Sequence, residues 1–172
     1  MGKMCFLTIY FNMGKLPMLL AMPVVVVVDL SWGEGGKVYG LVTAEVSRLG
    51  AIGVYVDLFP HFADLDRVKK VKLLGLFQRR LKRVREHIDM LFTTRDFKEV
   101  IARLRILREV KVVIVDNKLL ASIRAELPFA RVVPENKREL SRHGGLLTLA
   151  NILDIALNVH RRRYPEKKRI EW

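Results

Sequence analysis

Cysteine is nearly absent from this sequence, since Cys5 is the single one among 172 residues. One thiol excludes a disulfide framework, and it also excludes a zinc site built from several cysteines. The histidines are few and lie far apart, without the spacing of metal ligands: His61, His87, His143 and His160. We therefore expect each of them to be a surface or partly buried side chain rather than a ligand.

A clean apolar run of membrane-spanning length is also lacking. The mostly apolar residues 4–28 are interrupted by Asn12, Lys15, Pro17 and Pro23, whereas a spanning helix needs about 20 apolar residues in succession. A cleaved leader is not expected, because a strand-like run of valines follows directly. We expect residues 1–21 to form an extension, with a strand at 5–11 or with the natural start at Met18 or Met22. The sequence therefore predicts a cytoplasmic protein without a membrane partner.

Acidic residues are scarce relative to basic ones: 18 Asp and Glu face 31 Lys and Arg, which gives a net charge of +13. This balance favours a phosphate-bearing partner, namely DNA, RNA or an anionic surface, over a charge-rich thermophilic surface, which would be nearer neutral. The stretch 67–85 carries basic charges and no acid. Its candidate nucleic-acid-binding residues are Lys69, Lys70, Lys72, Arg79, Arg80, Lys82 and Arg83.

Apolar runs alternate with amphipathic stretches along the chain. Strands are predicted at 24–29, 53–58, 88–94, 111–116 and 155–159, and helices at 37–49, 64–87, 96–107, 119–127 and 137–152. The alternation predicts one α/β domain, at 22–160, with a mainly parallel sheet and helices on both faces. Residues 161–172 are expected to be a basic C-terminal tail.

A glycine-rich segment joins the first predicted strand to the first predicted helix. Backbone amides in such a loop, with a helix N-terminus behind them, bind phosphate. Gly36 and Lys37 match the end of the G-x-x-x-x-G-K-[ST] pattern, but Ser31 replaces its first glycine and Val38 replaces its hydroxyl residue. The candidate nucleotide-binding residues are Ser31, Gly33, Gly35, Gly36 and Lys37.

A second candidate element is the apolar run 112–115, which ends in Asp116. An acid at the carboxyl end of a buried strand can bind magnesium beside a phosphate loop. Asp116 is therefore the candidate metal residue.

The order of these motifs resembles the RecA-type P-loop proteins, in particular the archaeal RadA and RadB recombinases and the KaiC-like group. Four further segments carry the resemblance: 55–59 followed by Phe62 and Arg67-Val68, 91–100, Arg124-Ala125-Glu126, and the leucine-rich 138–150. The resemblance implies a shortened RecA-like core that binds ATP and Mg²⁺ weakly. It implies an accessory or regulatory factor in archaeal DNA recombination or repair, with a recombinase subunit as a possible partner.

Departures from the family pattern concern catalysis. The family's catalytic glutamate falls at Phe59, which cannot accept a proton, and its magnesium-binding hydroxyl falls at Val38. We therefore expect little or no ATP hydrolysis, and no catalytic residue is assigned.

Two rival interpretations remain open. In a Rossmann-type S-adenosylmethionine-dependent RNA methyltransferase, the same glycines would open the cofactor site, Asp57 would bind the ribose and Asp96 would lie near the adenine. In a metal-dependent nuclease, Asp29, Asp57 and Asp116 would gather at strand ends and hold metal ions.

Overall fold

The structure, a computed structural model, describes residues 22–142 and 144–172, so the predicted extension at 1–21 lies outside the described residues. The strands are β1 (Val24–Gly33), β2 (Gly36–Glu45), β3 (Met90–Thr94), β4 (Val110–Val115), β5 (Val132–Pro134) and β6 (Arg169–Glu171). The α-helices are α1 (Leu49–Gly53), α2 (Arg67–Val84), α3 (Phe97–Arg105), α4 (Leu120–Glu126), α5 (Lys137–Leu140) and α6 (Gly144–Arg163).

The strands form one mixed sheet in the order β5-β4-β1-β2-β3-β6. β1 pairs in parallel with β4, and β4 with β5, whereas the β1–β2, β2–β3 and β3–β6 pairs are antiparallel. The predicted α/β class is therefore confirmed, but the predicted mainly parallel sheet is wrong. Antiparallel pairs outnumber parallel ones because the chain turns back directly after β1 instead of crossing over through a helix.

A tight turn joins β1 to β2, which run antiparallel over their whole length. Gly33 pairs with Gly36 across the turn, and both Gly35 (φ 93°) and Gly36 (φ 90°) have positive φ. Glycine adopts positive φ without the steric cost that a Cβ atom brings. The glycines of this segment therefore serve a β-hairpin.

Helices cover both faces of the sheet and form two cores. On one face, Val25 and Val27 of β1 pack with buried residues of α1, α2 and α6, among them Phe77 and Leu153. On the other face, Val26 and Val28 pack with residues of α3 and α4. Alternate valines of one strand thus serve opposite cores, as the two-residue period of a strand requires.

Helix α6 is the central helix of the first core. It is buried around most of its circumference and contacts β1, β2, α1 and α2. Gly145 allows the closest of these contacts, because an added Cβ would lie 2.0 Å from the carbonyl oxygen of Leu49. This helix brings its polar residues against the ends of the central strands.

Three predicted elements are wrong. The helix expected at 37–49 is mostly strand β2, the strand expected at 53–58 comprises the end of α1 and a 3₁₀ turn (Val56–Leu58), and the strand expected at 155–159 is part of α6. In β2 both faces are buried, so its apolar residues do not alternate with polar ones and their spacing also suits a helix.

Several other predictions agree with the structure. β3, β4, α2, α3 and α4 lie within or close to the ranges expected for them. The side chain of Asp96 caps α3 by accepting a hydrogen bond from the amide of Lys98 at 3.0 Å. The segment expected as a basic tail contains the end of α6 and strand β6, which pairs with β3.

In the part of the chain that the structure describes, no helix combines the length and the apolar character needed to cross a membrane.

Candidate carboxylate site

Two aspartates meet where the parallel strands β1 and β4 lie side by side. Val28 pairs with Val115, and the amide of Asp116 donates to the carbonyl oxygen of Val28 at 3.1 Å. Asp29 follows Val28 in β1, so it lies beside Asp116 at the same edge of the sheet. The sequence predicts this meeting because both acids terminate runs of valine and isoleucine that form buried strands.

A third acid comes from the next strand in the sheet. Glu135 directly follows β5, and its amide donates to the carbonyl oxygen of Val115 at 2.8 Å. Because β5 is parallel to β4, its carboxyl end lies at the same edge. Glu135 is therefore held next to Asp116.

Asp154 of α6 supplies the fourth acid. The helix packs across β1 and β2, and Asp154 is half-buried within an otherwise largely apolar stretch. Together with Asp29, Asp116 and Glu135, it lines an open cavity of about 550 Å³. We call this cavity, defined by the four acids, the carboxylate cleft. His61, Asp64 and Asn151 also line it.

The electrostatics of the carboxylate cleft are unfavourable for the charged acids. Burial raises the pKa of Asp29 well above its usual range, and the nearby Glu135, Asp154 and Asp116 raise it further. Burial also raises the pKa of Glu135, with additional contributions from Asp116 and Asp154. The charged forms of Asp29 and Glu135 are therefore disfavoured both by burial and by the neighbouring acids.

Positive groups at the edge of the cleft offset part of this repulsion. Burial raises the pKa of Asp154, whereas the charges of His61, Arg161 and Arg162 lower it. His61 also lowers the pKa of Glu135. The cleft is thus an acidic concentration inside a strongly basic protein.

The predicted nucleotide-binding residues lie elsewhere, on the β1–β2 hairpin. Ser31 belongs to β1, Gly33 to Gly36 form the turn, and Lys37 of β2 places its ammonium 4.7 Å from the ring centre of Trp32. The RecA-type P-loop interpretation is wrong, because no helix begins after this turn. Without a helix N-terminus, the turn lacks the converging amides that define such a loop. ATP as a ligand stays an untested prediction and loses the motif on which it rested.

Both functional predictions that depended on that strand–loop–helix unit fail with it. An accessory role in recombination has no RecA-like core to support it, and a recombinase partner or a preference for DNA no longer follows. The methyltransferase alternative also required a strand–glycine loop–helix unit and a second parallel strand. Asp57, its expected ribose ligand, lies instead in the 3₁₀ turn Val56–Leu58, and Asp96 caps α3.

Arg161 holds the hairpin to the end of α6. Its guanidinium donates to the hydroxyl of Ser31 at 2.8 Å, to the carbonyl oxygen of Glu34 at 2.7 Å and to the side-chain oxygen of Asn158 at 3.2 Å. We call these four residues the arginine clamp. Gly35 is required beside it, because an added Cβ would lie 2.8 Å from the Arg161 carbonyl oxygen.

The predicted nucleic-acid-binding residues of α2 separate into four groups. Lys70 turns toward the protein, with its ammonium 5.4 Å from the ring centre of Phe62. Lys82 lies on the side of the helix that faces β6, beside Trp172. Arg79 is exposed on the outer surface. The remaining residues share one side of the helix by its 3.6-residue period, and they are Lys69, Lys72, Arg80 and Arg83.

Sequence reasoning missed Glu135, Asp154 and His61 as site residues. Asp154 carried a usable signal, since it is the one acid in the apolar run 145–159 of a long helix. A charged residue in such a stretch is either paired or functional. Glu135 directly follows β5, a strand of three residues that ends at Pro134. So short a strand does not reveal its direction in the sequence.

Comparisons with known proteins give little further information. No protein-family model matches the chain, and no curated protein matches it either. Solved structures that match include the ribonuclease H2 from Pyrococcus horikoshii OT3, which is 19% identical, with 81% of this chain and 72% of that chain covered and a TM-score of 0.49. Similarity at this level assigns neither a family nor an activity.

Proposed function

We propose that this protein is a divalent-metal-dependent phosphodiesterase that cleaves nucleic acid, with Asp29, Asp116, Glu135 and Asp154 as its metal-binding carboxylates. The observation that carries the proposal is the convergence of these four acids on one open cleft. Asp29 lies within β1, where its parallel pairing with β4 ends, Asp116 and Glu135 follow β4 and β5, and Asp154 lies on α6. The nuclease interpretation of the sequence named Asp29 and Asp116 but not the other two.

The repulsion among the acids of the cleft supports a functional role for it. The chain has 31 basic and 18 acidic residues, so acids could readily be paired with bases. In the cleft, neighbouring acids instead raise the pKa of Asp29 and of Glu135. Like charges held together at a partly buried site reduce stability, and such arrangements are concentrated at catalytic and metal sites.

The chemistry of the donor set fits a hard divalent cation. Mg²⁺ and Mn²⁺ prefer carboxylate oxygens and retain several waters, so they do not need a closed protein cage. In residues 22–142 and 144–172, no three His, Cys, Asp or Glu side chains are arranged as a ready-made metal site. The proposal therefore requires the aspartate and glutamate side chains of the cleft to reorient when a cation binds.

The residues of the cleft divide into two groups. Asp29 and Asp116 are placed side by side by adjacent parallel strands, so they would be the first ligands of a cation at this site. Glu135, after β5, and Asp154, on α6, would complete the set of ligands. Bound divalent cations supply charge neutralisation for the phosphate and an activated water. His61 lines the same cleft.

The experiment that tests this proposal is a cleavage assay on labelled single-stranded RNA, single-stranded DNA, an RNA–DNA hybrid and duplex DNA. We expect cleavage with Mg²⁺ or Mn²⁺ and none with EDTA. Asp116→Asn should lower the rate at least about 100-fold, because it removes a charged metal ligand. Asp57→Asn is the matched control, since Asp57 is exposed and lies outside the cleft, and it should cleave normally.

Two results would contradict the proposal. One is the absence of metal-dependent cleavage with every substrate. The other is cleavage that survives unchanged in Asp116→Asn, which would point to a contaminating nuclease. Titration of the protein with Mn²⁺ provides a second readout, and saturable binding that weakens in Asp116→Asn but not in Asp57→Asn is expected.

A further inference from the structure

We infer that the groove between α2 and residues 60–65 binds the phosphodiester backbone of the substrate and leads it to the carboxylate cleft. This inference rests on the proposed function and adds the surface that holds the nucleic acid. The cations concerned are the four on one side of α2, which we call the basic flank: Lys69, Lys72, Arg80 and Arg83.

The spacing of the basic flank follows the helix period. Lys69 to Lys72 and Arg80 to Arg83 are three residues apart, and Lys69 to Arg80 is eleven, close to three full turns. Four cations therefore lie in one row along the helix. The row extends about 21 Å at 1.5 Å per residue, which corresponds to about six base-pair steps of a duplex at 3.4 Å each.

The groove itself has a cavity of about 210 Å³ beside this row. Lys69, Lys72 and Arg80 line it together with the apolar Pro60 and Leu65. The ammonium groups of Lys69 and Lys72 are exposed, and within the described part of the chain neither takes part in a salt bridge. Both lysines are thus available for phosphate oxygens.

A single short segment separates this groove from the carboxylate cleft. Pro60 and Leu65 line the groove, whereas His61, Ala63 and Asp64 line the cleft. The segment contains the 3₁₀ turn Phe62–Asp64. Residues at most five positions apart therefore border both cavities, so a strand that lies in the groove reaches the cleft within a few nucleotides.

The separating segment is held in place by the same helix. Arg80 donates to the carbonyl oxygen of Leu58 at 2.9 Å, and the guanidinium of Arg83 lies 6.0 Å from the ring centre of Tyr55. Phe62 is buried, with the ammonium of Lys70 and the guanidinium of Arg162 each stacked near its ring. A fixed relation between the two cavities is what delivery of a strand to a catalytic centre requires.

Charge provides an independent reason for the flank. Four carboxylates repel a polyanion, so the cleft by itself would hold nucleic acid poorly at low metal concentration. A row of cations next to the cleft supplies the missing affinity through phosphate contacts and counterion release. The basic flank and the cleft are thus complementary parts of one surface.

The test compares two double variants of the same helix that lose equal charge. Lys69→Ala/Lys72→Ala removes the free cations of the groove, and Arg67→Ala/Lys82→Ala removes exposed cations from the rest of the helix. Binding of fluorescein-labelled 20-nucleotide RNA, single or in a duplex, is measured by anisotropy in EDTA over a range of salt concentrations. Circular dichroism verifies that both variants fold.

We expect Lys69→Ala/Lys72→Ala to bind about tenfold more weakly at 0.1 M salt. The slope of log K against log salt should fall by about 1.4 for the single strand, because each lost contact contributes about 0.7. The Arg67→Ala/Lys82→Ala control should lose less than about twofold. Equal losses in both variants, or none in the groove variant, would overturn the inference.

Binding and cleavage separate this inference from the proposed function. Binding that depends on Lys69 and Lys72, without cleavage of any substrate, would keep the groove and reject the phosphodiesterase. Metal-dependent cleavage that is lost in Asp116→Asn but unaffected by Lys69→Ala/Lys72→Ala, at substrate concentrations below KM, would keep the phosphodiesterase and reject the groove.

Discussion

Helix α6 carries two polar clusters that face the same sheet and behave differently. The carboxylate cleft takes Asp154 from the middle of the helix, and the arginine clamp takes Arg161 from a position seven residues, or about two turns, further on. In the clamp all three guanidinium nitrogens donate hydrogen bonds. In the cleft, burial and the neighbouring acids raise the pKa of Asp29 and of Glu135.

This difference separates a structural from a functional polar cluster. A buried arginine whose three guanidinium nitrogens each donate a hydrogen bond to a different residue holds neighbouring elements together. A group of like charges open to solvent reduces stability and gains from a bound cation. The two clusters should therefore respond in opposite directions to substitutions that remove their charge.

The largest effect is expected from Asp154→Asn in the cleft. Removal of this carboxylate should lower metal-dependent cleavage about 1,000-fold, which corresponds to about 4 kcal/mol of barrier. In EDTA the same variant should be more stable by about 1 kcal/mol, since a half-buried charge near other acids disappears. Cleavage assays and urea unfolding provide the two measurements.

Glu166→Gln is the control for Asp154→Asn, because Glu166 is an exposed acid near the same end of the chain. It should change neither cleavage nor stability by more than about 0.5 kcal/mol. A destabilised Asp154→Asn variant that still cleaves would reverse the assignment and make the cleft a structural cluster.

The next effect is expected from Arg161→Met in the clamp. The methionine fills much of the same volume but leaves the hydroxyl of Ser31, the carbonyl of Glu34 and the side chain of Asn158 without their partner. We expect a loss of about 3 kcal/mol in the free energy of unfolding. Urea unfolding measures it.

Arg162→Met is the matched control for Arg161→Met, because the neighbouring arginine is exposed. It should lose less than about 1 kcal/mol. Similar losses for both arginines would show that the clamp contributes through overall charge rather than through its three hydrogen bonds.

The sequence predicts one half of the carboxylate cleft. Asp29 and Asp116 terminate runs of β-branched residues that are long enough to identify as buried strands, and parallel neighbours align such ends. Asp57, the third acid of that interpretation, lies outside because its segment forms a 3₁₀ turn. Local pattern identifies strands, but it does not state which strands are neighbours.

The hairpin shows why the rest could not be predicted. Gly33 to Gly36 suits a phosphate loop and a hairpin turn equally well, and only the direction of the following segment distinguishes them. That segment, β2, is buried on both faces, with Gly40 packed against Leu153 and Leu157 of α6. The apolar residues of β2 therefore face both cores, and their spacing resembles that of an amphipathic helix.

The smallest effect concerns His160, which neighbours Arg161 and is fully buried. Its ring lies 2.8 Å from the hydroxyl of Thr93 and 2.8 Å from the carbonyl oxygen of Lys167. The carbonyl can only accept, so Nε2 carries the proton and Nδ1 accepts from Thr93. Burial lowers the pKa of His160, and the charges of Arg95 and Lys167 lower it further. The hydrogen bond to the Lys167 carbonyl and the charge of Glu166 raise it, but the pKa remains below its usual value.

The neutral form of His160 is therefore the form that the folded state favours. When the folded-state pKa of a histidine lies below the unfolded value of about 6.5, stability is complete above that value and declines as pH falls below it. We expect the unfolding free energy of the protein to lose about 1 kcal/mol more than that of His160→Asn between pH 7.5 and 5.5. The raised pKa values of the cleft acids act in the opposite direction, but they are common to both proteins and cancel in the difference. Parallel pH profiles for the two proteins would contradict this prediction, because they would show that folding does not lower the pKa of His160.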